Sequence, residues 1–175
     1  MIEFRRLPGL PPYGPQTVSF PPEFGRHGRE GVVVEFRPND GTPWIGNFAP
    51  GHGGVTAVLP HPDGRRILVI VEGLAWLVDP ESGDVERLEP AVHALWPVSD
   101  PDGYLFDEYG LWFSRLGAAG FIWRTERISW DGFADIVVNE ESVTGRALSP
   151  IESEPLPFVL DIRTGSFTGG SYNGP

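Results

Sequence analysis

From residue 31 onward the chain alternates short apolar runs with clusters of glycine, proline, asparagine and aspartate, and the runs are too short for helices. Residues 32–36 open on three β-branched valines and give way at Pro38-Asn39-Asp40-Gly41, where proline presets φ and glycine accepts a positive one. Further strands are predicted over 43–48, 55–59, 66–71, 74–78 and 84–88, then over 104–107, 111–115 and 121–128. Turn residues separate each pair. In the last of these strands Ile122, Arg124 and Glu126 alternate with Phe121, Trp123 and Thr125. No stretch longer than ten residues carries the 3.6-residue period of an amphipathic helix.

The turns repeat. Pro62-Asp63-Gly64 returns 39 residues later as Pro101-Asp102-Gly103, each followed by a strand, a turn glycine (Gly73; Gly110) and an aromatic strand. A tighter echo relates Trp76-Leu77-Val78-Asp79, closed by Ser82-Gly83, to Phe158-Val159-Leu160-Asp161, closed by Thr164-Gly165. In both, an aspartate at a strand end is placed to accept the amides of the following turn, and glycine supplies the left-handed position. Hairpins at this spacing predict an all-β fold: an antiparallel meander with propeller-like hairpin repeats, the alternative being a β-sandwich or a partly open barrel. Residues 1–30 are rich in proline and poor in periodicity. They read as an extended N-terminal arm packed on the body through Phe4, Leu7, Leu10, Tyr13 and Phe20, with 31–175 as a single all-β domain.

Composition narrows the chemistry. The 175 residues include no cysteine and no lysine, so all 13 basic residues are arginine. A thiol nucleophile, a thiolate zinc site, a lysine Schiff base and a phosphate-binding P-loop are thereby excluded. Net charge is −11 and unevenly spread: residues 1–67 balance at +1 and 68–175 at −12. So acidic a C-terminal part repels phosphate backbones, which argues against nucleic acid. No apolar run reaches the ~18–20 residues that cross a bilayer, and the first residues lack the apolar core of a secretion signal. These features suggest a cytoplasmic chain with no membrane association, and no motif calls for a cofactor.

Read as text, much of the chain resembles an uncharacterised family of small bacterial all-β proteins. The segments that carry the resemblance are Trp44-Ile45-Gly46-Asn47-Phe48, Gly51-His52-Gly53-Gly54 and His61-Pro62-Asp63-Gly64. Arg127-Ile128-Ser129-Trp130-Asp131-Gly132, Val143-Thr144-Gly145-Arg146-Ala147 and Asp161 through Gly169-Gly170-Ser171-Tyr172 extend it. The resemblance implies a shared fold and brings no activity with it.

Candidate sites are few. His52, His61 and Asp63 offer two imidazoles and a carboxylate within twelve residues, the ligand types of a zinc site. The acidic stretch beginning at Asp100 has Leu105 and Leu111 where an EF-hand needs glycine and glutamate, so it is no calcium loop of that kind. His52-Gly53-Gly54 looks like an oxyanion loop, but the chain has no G-x-S-x-G nucleophile elbow to go with it. Trp112, Trp123 and Trp130, with Asp107, Glu108 and Asp131 near them in sequence, supply stacking faces beside carboxylate acceptors, a pairing suited to sugars or cationic ligands. The same tryptophans would equally serve as core. Two functions therefore stand open: a non-catalytic protein-interaction or binding protein, using a protein partner or self-association, and a carbohydrate-binding protein or glycoside-directed enzyme.

Overall fold

The computed structural model describes residues 3–39, 41–99 and 102–174. Asp40 of the first predicted turn and Asp100-Pro101 of the acidic stretch lie outside the described residues. The protein is all-β, and its chain divides into two compact units, Met1–Ala91 and Val92–Pro175.

In the first unit, β1 (Glu3–Leu7), β3 (Val32–Arg37), β4 (Trp44–Phe48) and β2 (Thr17–Phe20) form one sheet in the order β1-β3-β4-β2, with a 3-10 turn at Pro22–His27 after β2. β2 runs parallel to β4 and the other pairs are antiparallel. Residues 1–30 therefore supply two strands of a sheet, β1 and β2, where the sequence suggested an arm laid over the body. Their pairing is dictated from β3 and β4, which lie far along the chain, and proline at 8, 11, 12 and 15 is confined to the link between the two strands. Tyr13, expected to pack, is 90% exposed at that link. A second antiparallel sheet follows the chain through β5 (Ala57–Pro60), β6 (Ile67–Val71), β7 (Leu74–Val78) and the first half of β8 (Val85–Ser99). Alternation builds the core: Val32, Val34 and Phe36 on β3, with Phe48, meet Ile67, Val69 and Val71 on β6 and Trp76 and Val78 on β7.

In the second unit, residues 92–99 of β8 pair with β9 (Asp102–Glu108), followed by β10 (Trp112–Gly117) and β11 (Gly120–Arg124). β12 (Phe133–Val138), β13 (Ser142–Ala147), β14 (Leu156–Asp161) and β15 (Phe167–Gly169) make the other sheet, also in sequence order. Val98, Leu105 and Phe113 from the first sheet share a core with Val143, Ala147, Phe158 and Leu160 from the second. Phe113 is the hub, its ring 4.8 Å from that of Phe133 and 5.8 Å from that of Phe158. Each unit is thus two sheets sharing one core. The antiparallel meander is present, and its layers are those of the sandwich alternative.

The tighter of the two echoes is structural. The Asp79 carboxylate accepts the amides of Glu81 and Ser82, and that of Asp161 accepts the amide of Thr164. Gly83 and Gly165 have φ of 76° and 75°, and each donates its amide to the carbonyl of its aspartate. The 39-residue echo holds at its turn glycines, where Glu72-Gly73 and Tyr109-Gly110 all have positive φ. It fails at Asp102-Gly103, which already belong to β9: Gly103 pairs with Val98, and a Cβ there would sit 2.1 Å from the Leu116 carbonyl oxygen.

Candidate functional site

The sequence-predicted residues fall into several places. Asp107, Glu108 and Trp112 come together on the β9–β10 hairpin. Successive strand residues point to opposite faces, so Asp107 and Glu108 serve two different clusters. Glu108, 1% exposed, accepts the Trp112 indole N–H at 2.6 Å and pairs with Arg124 from β11. The Arg124 guanidinium lies 4.7 Å from the centre of the Trp112 ring, and Tyr109 flanks the same ring at 5.7 Å. This trio is closed on itself: carboxylate, indole and guanidinium are each occupied by the others.

On the other face Asp107, 2% exposed, has one carboxylate oxygen 3.0 Å from His93 Nδ1, while the other accepts the Gly110 amide at 2.8 Å. Burial pushes the Asp107 carboxyl above the usual carboxylate range, against the pull of His93 and the Gly110 amide. The His93 side chain is 63% exposed. His93 was not singled out from the sequence; a lone histidine inside the apolar run Ala91-Val92-His93-Ala94-Leu95 was its only signal.

Trp123, Trp130 and Asp131 lie elsewhere. Trp123 donates its indole N–H to the Ile162 carbonyl at 3.0 Å and lies across Gly165, where a Cβ would sit 2.8 Å from the indole. Trp130 has the Arg127 guanidinium over its ring at 4.9 Å and Tyr172 edge-on at 4.6 Å, the same guanidinium lies 4.8 Å from the Tyr172 ring, and Arg127 also donates to the Ser129 and Trp130 carbonyls. Asp131 is exposed. Trp123 thus packs against the second core, while Trp130 is half-buried and held by Arg127 and Tyr172 outside it.

His52, His61 and Asp63 do not gather as metal ligands, and no group of three histidine or acidic side chains suited to a metal occurs among the described residues. The reason is local. His61 is buried with Nδ1 3.1 Å from Asp63, and Asp63 accepts the Arg65 and Arg66 amides and the Arg66 guanidinium, so the carboxylate is spent closing its own turn. His52 is exposed.

One feature of the second unit was not anticipated. An open cavity of about 580 Å³ is lined by Pro97, Val98 and Ser99 from the end of β8 and by 138–142 from the β12–β13 turn. A smaller cavity of about 240 Å³ adjoins the same turn and adds Asp161, Ile162 and Arg163. The turn is fixed by Asn139 N–H to Ser142 carbonyl at 2.8 Å and by Ile162 N–H to Glu141 carbonyl at 2.9 Å. Glu140 and Glu141 line both cavities and are exposed, and their carboxylates have no hydrogen-bond or ion-pair partner among the described residues. In the sequence, Asn139-Glu140-Glu141-Ser142 reads only as a polar hairpin turn.

No protein-family model matches the chain, and no curated protein matches it. Geometry and charge therefore carry the functional reading. No helix among the described residues is long and apolar enough to cross a membrane.

Proposed function

We propose that this chain is an interaction protein whose C-terminal unit receives a basic segment of a protein partner. The observation that carries this reading is the 580 Å³ cavity edged by the free carboxylates Glu140 and Glu141. Its size falls within the ~300–1,000 Å³ of small-ligand pockets. The apolar walls at Pro97, Val98 and Val138 suit the methylene stem of an arginine or lysine, and the carboxylates suit its charged end.

Long-range charge points the same way. Residues 92–175 hold twelve acids and five arginines, a balance of −7. Three of the five arginines are turned to internal use: Arg115 is buried with Nη1 on the Ile162 carbonyl, Arg124 is on Glu108, and Arg127 is on Trp130. The unit consequently shows solvent a largely acidic surface, which draws cations in and speeds their encounter. A second copy of the chain, itself at −11, is a poor occupant of this cleft.

The carbohydrate reading has less support, because Trp112, Asp107 and Glu108 already have partners. A sugar would have to displace Arg124 from the Trp112 face and compete for carboxylates that already have partners. The test is fluorescence anisotropy of a labelled arginine-rich peptide against the full chain, beside neutral and acidic peptides of equal length. Binding of the basic peptide alone is expected, weakened about tenfold or more in the Glu140→Gln/Glu141→Gln variant, since losing charge-assisted bonds costs ~1.5–3 kcal/mol each. Equal binding of all three peptides, or none, would overturn the proposal.

A further inference from the structure

His93 occupies the extra position of a β-bulge. Val92 of β8 pairs with Glu108 and Ala94 pairs with Asp107, which leaves the residue between them without a partner of its own in the ladder. Bulges re-aim side chains, and this one brings an imidazole from a strand onto the buried Asp107. The rest of the arrangement is locked. Asp107 is 2% exposed, one of its oxygens is held by the Gly110 amide at 2.8 Å, and only the other faces His93 Nδ1, at 3.0 Å. An ionised carboxylate only accepts hydrogen bonds, so the proton of a neutral His93 resides on Nδ1. The Nε2 lone pair is then left free on a side chain that is 63% exposed. Neither the acidic cleft nor the Trp112 trio uses this pair.

We infer that His93 is an acyl-accepting residue, its Nε2 taking the acyl group of activated donors such as aryl esters or acyl phosphates while Asp107 holds the Nδ1 proton. In the step, the Nε2 lone pair adds to the acyl carbonyl carbon and the bond to the donor oxygen breaks. The donor leaves as phenolate or phosphate with that electron pair. The ring becomes an acylimidazolium whose positive charge faces the Asp107 carboxylate, which is where a buried anion stabilises it. Water then attacks the acyl carbon and the C–Nε2 bond breaks with its electron pair returning to the ring, giving neutral His93, a carboxylic acid and one proton, which the departed phenolate or phosphate, or bulk water, takes up. This inference is independent of the cleft and its basic partner.

The chain carries its own controls. His52 is exposed with no carboxylate partner among the described residues, and His61 has a fully buried side chain. The full-length protein is treated with p-nitrophenyl acetate and with diethyl pyrocarbonate, and the rate of modification at each histidine is followed by peptide mass spectrometry. His93 is expected to react about tenfold or more faster than His52. Asp107→Asn is expected to bring it down to the His52 rate, because the carboxamide can donate to Nδ1 and move the proton to Nε2. Nitrogen-15 spectra of the unmodified protein are expected to show His93 with its proton on Nδ1. A His93 rate no higher than that of His52, a rate untouched by Asp107→Asn, or a proton on Nε2 in the wild-type protein would each overturn the inference. If Asp107→Asn does not fold, the two wild-type measurements decide it alone.

Discussion

Asp107 is a carboxylate that folding takes out of water in exchange for one exposed imidazole and one turn amide. Its carboxyl is raised above the usual range, mainly by burial. As pH rises past 3.8, the unfolded chain gives up its proton before the folded chain does, so the charge withdraws stability through the raised value and beyond. Asp107→Asn is therefore expected to have a urea midpoint at pH 7 no lower than that of the wild type, even though it exchanges the charged contact with His93 for a neutral one; a clear drop would contradict this. A residue kept at a cost to stability is what a functional role predicts. The pair His61–Asp63 works in the opposite sense. Burial lowers the His61 pKa below 6.5, against the Asp63 carboxylate, so below that pH the unfolded chain takes up a proton the folded chain refuses. Asp63 is itself desolvated, but the Arg66 and Arg65 amides and the Arg66 guanidinium outweigh that and hold its carboxyl well below the usual range, so its contribution is complete above about pH 5 and is lost only as pH falls on through 3.8. The urea midpoint should fall between pH 7 and pH 5, and His61→Leu should flatten that limb. A variant that keeps the full slope would assign it elsewhere.

At the scale of the element, the β9–β10 hairpin shows what the sequence reveals and what it conceals. The turn glycines, the β6–β7 hairpin and the Asp79 and Asp161 turns were legible because each is set by local chemistry within a few residues. Asp107, Glu108 and Trp112 were placed near one another on the same grounds. Their partners were not legible: Arg124 reads only as one position of an alternating strand, and His93 depends on a bulge that shifts register by one residue. Cross-strand partners and bulges are settled by tertiary pairing, as were β1 and β2 among the prolines. Arg124→Ala leaves the buried Glu108 with only the Trp112 indole. Because Arg124 is half exposed, the loss should fall between the ~1 kcal/mol of a surface pair and the ~3–5 kcal/mol of a buried one. Phe113→Ala empties the hub of the second core and should cost ~3–5 kcal/mol in urea unfolding. A loss under about 1 kcal/mol would mean the site is not the packed hub its ring contacts indicate.

Across the whole molecule, charge is what separates the two units. Residues 1–91 carry eight arginines against twelve acids, and 92–175 carry five against twelve. The absence of lysine sharpens the contrast, since every cation is a planar fork suited to carboxylates and aromatic faces, and the second unit spends most of its own internally. Binding of a basic peptide should therefore weaken steadily as salt rises from about 50 to 300 mM, because exposed charges lose their reach as the Debye length shrinks. Affinity independent of salt would point to an apolar contact instead. The most direct measurement is an amide spectrum of nitrogen-15-labelled protein titrated with the arginine-rich peptide. Shifts are expected to concentrate at residues 98, 99 and 138–142, around Glu140 and Glu141, and to need about tenfold or more peptide in the Glu140→Gln/Glu141→Gln variant. Shifts centred on another surface, or a spectrum that does not change, would contradict the assignment of this cleft as the binding site.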